Sequence, residues 1–333
     1  MEIMIPLSRV CNYESIVNYI NNGISMFKIG PTYEKYEILQ LYSYLQNASK
    51  YTGKSIQTVI ELPAPYVKIG EMMKTNISIG DFLIVGQNNG VDYEYMEILM
   101  TDFAKVLPYI NKDTIVSTIC GKLIFEIQKI NENNTALFKC IKKCGHIRKF
   151  EQFYFPNSNI PSDNFRSTKS IITSLGQNNI RPDYFIIHQA EAPNAIVPLV
   201  TLISSVFGKE SVKVLGEVDF KNKFSSNNLY GILDGFYLDR EKLMYQYNPF
   251  ILPEVQDEVL IFTKQSNKIA IVANGFFNKF SNSGIISRPE ISDILLLLKQ
   301  KVNVIELSEE IVTSKYFTKV ISYIKEMITE YKV

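Results

Sequence analysis

The 333-residue chain is 46% hydrophobic and 21% charged, which predicts a sizeable packed core and excludes a disordered polymer. Its 35 Lys and Arg against 34 Asp and Glu leave a net charge near +1, which removes the electrostatic case for nucleic acid as a partner. Four cysteines are too few for a disulfide scaffold, no apolar run reaches the ~18 residues of a membrane span, and no leader pattern opens the chain; a soluble, cytoplasmic protein without membrane contact is expected.

In chain order, residues 3–8 read as a short apolar strand. A helix follows from Asn12 or Ser15 through Ile20, and residues 25–29 form a second strand. Residues 33–49 place Ile38, Leu39, Leu41, Tyr42 and Leu45 on one helical face, and residues 56–62 form a third strand closed by Pro63 and Pro65. The rhythm then changes. From Tyr66 to about Phe155, short alternating runs are punctuated by Gly-Asp, Asn-Asn-Gly and Cys-Gly, the pattern of a small antiparallel β domain, with a helix predicted over 94–107. After Pro156 strands and helices alternate again. Strands are predicted at 184–188, 212–218, 231–238, 269–273 and 302–307. Helices are predicted at 167–175, 194–207, 255–264, 289–298 and 314–331.

Eight strands outside the insert, alternating with helices, predict a TIM (β/α)8 barrel, with 1–65 and 156–333 in the barrel and 66–155 in the inserted β-rich domain. A doubly wound open sheet is the alternative. No GxGxxG or GxxxxGK[ST] run follows a strand, so a Rossmann or P-loop nucleotide site has no support. Cys140, Cys144 and His146 lie close in sequence, but the further ligands of a zinc site are missing and buried thiols are the simpler reading. The basic run 139–149 reads as a solvated strand face.

Several motifs then resemble one family in order along the chain. The Glu61-Leu-Pro-Ala-Pro65-Tyr-Val-Lys68-Ile-Gly70 segment is similar to the pyruvate kinase pattern D-x-K-G-P-x-I-R-x-G that leads from the third barrel strand into an inserted domain. Ile79-Gly80-Asp81, the stretch Cys140 to Ile147, Ser287-Arg288-Pro-Glu290-Ile-Ser-Asp293 and Val304-Ile-Glu-Leu307-Ser308-Glu-Glu310 resemble further pyruvate kinase motifs. The resemblance implies a pyruvate-kinase-like barrel with an inserted domain. It ends at the eighth helix, so the family's C-terminal domain is not expected, and a monomer or homodimer is.

The positions that carry the family's chemistry differ. Where the family has K-I-E, this chain has Gly216-Glu217-Val218, which keeps the metal-binding carboxylate and loses the enolate-stabilising lysine. In Asp234-Gly235-Phe-Tyr-Leu-Asp239-Arg240-Glu241-Lys242 the residues Asp234, Gly235 and Arg240 match, and the second metal position falls on Lys242. The Arg, Asn and His of the run after strand two are replaced in Lys28-Ile-Gly30-Pro-Thr32-Tyr33. The family's substrate-side Thr is Asn274.

The resemblance therefore implies a site built from Glu217 with Asp239 or Glu241, or Asp219, as ligands of Mg2+ or Mn2+, hard cations that prefer carboxylate oxygens. Lys28, Lys68 and Asn274 would face a small anionic substrate or nucleotide, and Arg240 would stand at the chemistry or pair with Glu217. His188, ending its strand, would act as a general base or as a hydrogen-bonded rim residue. The function expected is metal-dependent chemistry on a 2-oxo acid or enolpyruvoyl compound, as in lyases of the same barrel class, in a cleft between barrel and insert. A specialised biosynthetic role suits it better than central glycolysis. The alternatives are a catalytically inactive binding subunit and a residual pyruvate kinase.

Overall fold

The structure, a computed structural model, describes residues 1–63, 66–72, 76–86, 96–101, 103–118, 123–142, 145–147, 152–155, 166–188, 193–209, 211–218, 231–241, 243 and 249–331. Two units are distinguished: Met1–Pro63 with Arg166–Leu243 and Asn248–Val333, and Ala64–Phe165 with Met244–Tyr247. In chain order the strands are β1 (Glu2–Pro6), β2 (Met26–Ile29), β3 (Gln57–Glu61), β4 (Tyr66–Met72), β5 (Asn76–Ile77), β6 (Phe82–Gly86), β7 (Met96–Thr101), β8 (Ile115–Thr118) and β9 (Ile124–Ile130). They continue as β10 (Ala136–Lys142), β11 (Gly145–His146), β12 (Gln152–Tyr154), β13 (Tyr184–Ile187), β14 (Lys213–Glu217), β15 (Gly235–Asp239), β16 (Ile269–Ala273) and β17 (Val304–Glu306).

In the first unit β1, β2, β3, β13, β14, β15, β16 and β17 close in that order into a barrel of parallel strands, β17 pairing back onto β1. The fold is an α/β TIM barrel with a β-rich domain inserted after its third strand. Local chemistry sets the helix starts. Asn12 accepts from Ser15 N at 2.9 Å. Glu34 and Glu37 form a capping box for the helix Lys35–Thr52, which Gly53 ends in the left-handed region. That helix starts after Tyr33, whose ring is buried and whose hydroxyl donates to the Leu7 carbonyl at 2.6 Å.

At the N-terminal end of the barrel, polar side chains just before β13, β15 and β17 each tie a neighbouring strand. Asp183 accepts from Thr58 N, Asp234 from Val214 N and Asn303 from Ala270 N, at 2.7 to 2.9 Å. Gly235 opens β15 where no side chain fits: a Cβ there would lie 2.3 Å from the Ile269 carbonyl oxygen.

The second unit contains a closed barrel in the order β10, β6, β7, β4, β12, β8, β9, with β6 and β7 parallel and its other pairs antiparallel, and a two-stranded sheet of β5 and β11. Phe103, Phe125, Phe138 and Phe153 fill its centre with edge-on and tilted ring contacts. The helix predicted over 94–107 is instead the strand β7 followed by the one-turn helix Phe103–Val106. Met96–Thr101 contains good helix formers, but pairing on both sides, with β4 and β6, outweighs that local preference. Cys140 is buried in this core, and Cys144 lies outside the described residues.

Candidate functional site

Successive side chains of a strand alternate between the barrel interior and the surrounding helices. The interior positions Met4, Met26, Val59, Ile186, Leu215, Tyr237, Ile271 and Val304 form an apolar plug across all eight strands. Two residues further along each strand, the same alternation presents Pro6, Lys28, Glu61, His188, Glu217, Asp239, Ala273 and Glu306 at the C-terminal end, where barrels of this class carry their chemistry. Six of these eight are polar or charged. Lys28, Glu61, His188, Glu217 and Glu306 are only 2 to 7% exposed.

The centre of this layer is the Lys28 ammonium. Its Nζ lies 2.8 Å from Glu61 Oε2, 2.8 Å from Glu306 Oε1 and donates to the Tyr237 hydroxyl at 2.8 Å, so all three of its protons have an oxygen to face. On the other side of Glu61 stands His188. Its Nε2 lies 3.3 Å from Glu61 Oε1, while its Nδ1 makes a short contact with Glu217 Oε2. The imidazole is therefore held between two carboxylates, one of which also holds the lysine.

Burial and charge act in opposition here. Burial favours the neutral form of Lys28, but Glu306 and Glu61 outweigh it and raise its pKa, so the ammonium stays charged. Burial also works against the Glu61 carboxylate, yet Lys28 and His188 hold its pKa down at about 2. For Glu306 burial prevails over Lys28 and lifts the pKa to about 7; Glu61, competing for the same ammonium, adds to the rise. Glu306 Oε2, buried, has no hydrogen-bond partner among the described residues. Burial, followed by Glu306 and three further carboxylates, raises the Tyr237 hydroxyl well above its ordinary value, so it is a neutral hydrogen-bonding group.

A second, separate constellation surrounds Arg240. Its guanidinium makes a two-pronged pair with Asp293, Nη1 to Oδ1 at 2.8 Å and Nη2 to Oδ2 at 2.9 Å. It also donates to the Asn274 carbonyl from Nε and Nη2 and lies 4.0 Å from the centre of the Phe276 ring. Asn274, at φ 64°, and Gly275, at φ 75°, turn the chain sharply after β16. The Asn274 side chain donates to Asp239 Oδ2 at 3.0 Å, and Asp239 Oδ1 accepts from Glu241 N at 3.0 Å. Burial, then Asp239, raises the pKa of the Glu241 carboxyl.

Of the residues expected from the sequence, Lys28, His188 and Glu217 come together in the buried layer. Asp239, Asn274 and Arg240 are connected to one another at the ends of β15 and β16, with Glu241 beside them. Lys68 belongs to β4 of the other unit, and its side chain, like Asp219 and Lys242, lies outside the described residues. Glu306 and Tyr237 were not singled out by sequence reasoning. The available signal was a single carboxylate inside the apolar run Val304-Ile-Glu-Leu307. Among the described residues, no group of three or more His, Cys, Asp or Glu side chains is arranged to hold a metal ion, and no helix is long and apolar enough to cross a membrane.

The chain is 18% identical over 324 residues to the pyruvate kinase of Thermotoga maritima, covering 97% of this chain and 68% of that protein. No family model matches the chain. The similarity is distant, extends over most of the sequence, and supports a pyruvate-kinase-like relationship.

Proposed function

We propose that the chain is a pyruvate-kinase-like barrel enzyme that moves a proton on a small 2-oxo acid or enolpyruvoyl-type substrate, with His188 as the proton carrier. The observation that carries this reading is the His188 imidazole held between Glu217 and Glu61 at the C-terminal end of the barrel. The Nδ1 contact with Glu217 sets the orientation of the ring, and Nε2, at the longer distance of 3.3 Å from Glu61 Oε1, is the nitrogen that exchanges a proton. Lys28 is the fixed positive charge of the layer, and enolate chemistry needs such a charge near the oxygen that becomes anionic. With Glu306 protonated, Lys28 faces one carboxylate instead of two and the layer carries one negative charge fewer, which favours entry of an anion.

Phosphoryl transfer is less well supported. It requires several cations around the phosphate, and here Arg240 is committed to Asp293 while Lys28 is committed to Glu61 and Glu306. The test is the loss of the C3-proton signal, the methyl of pyruvate and the methylene of 2-oxobutyrate, in D2O, followed by NMR. The expected result is exchange catalysed by the wild type and reduced by about 100-fold or more in His188→Asn, the scale of a general acid–base contribution. No exchange with either compound, together with no calorimetric binding of oxalate, would reject the reading and leave a barrel that only binds.

A further inference from the structure

The sequence resemblance implies a divalent cation held by Glu217 with Asp239 or Glu241, and the side chains can be tested for that fit. A divalent cation of the magnesium class requires several oxygens at about 2.0–2.1 Å. Glu217 directs Oε2 at His188, and Asp239 gives one oxygen to Asn274 and the other to the Glu241 amide. Two carboxylates, Glu61 and Glu306, do approach one point, but the place between them is filled. The Lys28 ammonium lies 2.8 Å from both, and His188 links Glu217 to Glu61. The residues as arranged do not fit a divalent cation.

We propose that Lys28 is the resident cation of this barrel: its ammonium stands between Glu61 and Glu306, with His188 between Glu61 and Glu217, and the layer is assembled without a divalent metal. One ammonium, always present because it belongs to the chain, reduces the repulsion between Glu61 and Glu306 in a buried layer. Its three protons are already directed at three oxygens, so it gives up nothing to a metal without leaving Glu61 and Glu306 unpaired. A second cation entering beside it would meet like charge at short range, where burial leaves little screening. This inference rests on the packing of the site and not on the reaction proposed for it, and its readout is metal binding, so either can fail alone.

The test is a titration of the full chain with Mn2+, followed by the paramagnetic resonance signal of the free ion, on wild type, Lys28→Met and Glu217→Gln. Wild type is expected to bind no equivalent of Mn2+ that Glu217→Gln removes. Lys28→Met, with Glu61 and Glu306 released from the ammonium, is expected to bind Mn2+ at least about tenfold more tightly than wild type, as an oxygen-lined site for a hard cation should. One equivalent bound by wild type and lost in Glu217→Gln would overturn the proposal, as would a folded Lys28→Met with no gain in affinity. If Lys28→Met does not fold, the comparison of wild type with Glu217→Gln decides by itself.

Discussion

Glu306 offers a direct measurement of the buried layer. Its carboxyl titrates at about 7 in the fold against an ordinary 4.5, so at intermediate pH the folded chain binds a proton that the unfolded chain has released. Stability changes with pH in the sense of the protons bound by the unfolded state minus those bound by the fold; here that difference is negative and stability falls as pH rises. Below pH 4.5 both states are protonated and the group contributes nothing. Between 4.5 and 7 the loss accumulates, and above 7 it is complete, at roughly 3 kcal/mol for a shift of this size. Glu61 moves the other way, with a folded pKa of about 2, so its stabilisation is fully present throughout this window and adds no slope. Glu306→Gln keeps the shape and an oxygen for Lys28. Its cost, an amide with no acceptor at the Oε2 position, does not depend on pH. Urea unfolding at several values between pH 4.5 and 8 should show wild-type stability falling relative to Glu306→Gln by roughly 3 kcal/mol across the window. Parallel pH profiles for the two proteins would refute the assignment of a buried, partly protonated carboxyl at this position.

Two further outcomes test the frame around the site. Gly235→Ala should lower stability by about 3 kcal/mol or more in a urea titration, because the added methyl meets the Ile269 carbonyl at 2.3 Å and the Leu215 side chain at 2.9 Å, and backbone cannot yield as a side chain can; an unchanged midpoint would contradict the packing at the start of β15. Arg240→Lys should cost about 1–3 kcal/mol, since an ammonium cannot hold both oxygens of Asp293 and the Asn274 carbonyl together; a loss below about 0.5 kcal/mol, the scale of an ordinary surface substitution, would show that this pair does not fasten the β15 and β16 ends.

The barrel was legible because its signals are local. Apolar runs of strand length, bounded by turn residues and separated by helical periodicity, recur eight times, and each strand of the closed barrel coincides with one of them. Lys28, His188 and Glu217 were also legible, as polar residues at strand ends. The expected helix over 94–107 failed because strand pairing on both sides of β7 outweighs the helical preference of its residues. What one sequence cannot display is which strand-end residues meet. Lys28 and Glu306 lie on strands separated by β1 and near opposite ends of the chain, and only closure of the barrel brings their side chains within 2.8 Å. The tie of Arg240 to Asp293 is similarly non-local, and the sequence did not display it.

Several motif residues that match the pyruvate kinase pattern, Glu217 apart, have a common feature in the structure. Asp234 accepts from the Val214 amide, Gly235 admits the Ile269 backbone, and Arg240 and Asp293 pair. Ser287 and Glu290 cap the helix Arg288–Lys299, and Glu290 also accepts from the Phe280 amide. These matches hold strands and helix starts in place. The interior layer one alternation above the apolar plug keeps Glu217 of the pattern and departs from it at Gly216 beside that residue and at Lys28. Five ionisable groups almost fully removed from water are a cost to folding that apolar residues would avoid, and the plug two residues below is filled with such residues on every strand. Retaining charge in one layer and excluding it from the next is therefore better explained by what the upper layer does to a ligand than by the stability it gives the barrel. By the same reasoning, the distant similarity speaks for a shared scaffold, and the chemistry has to be sought among the residues that differ.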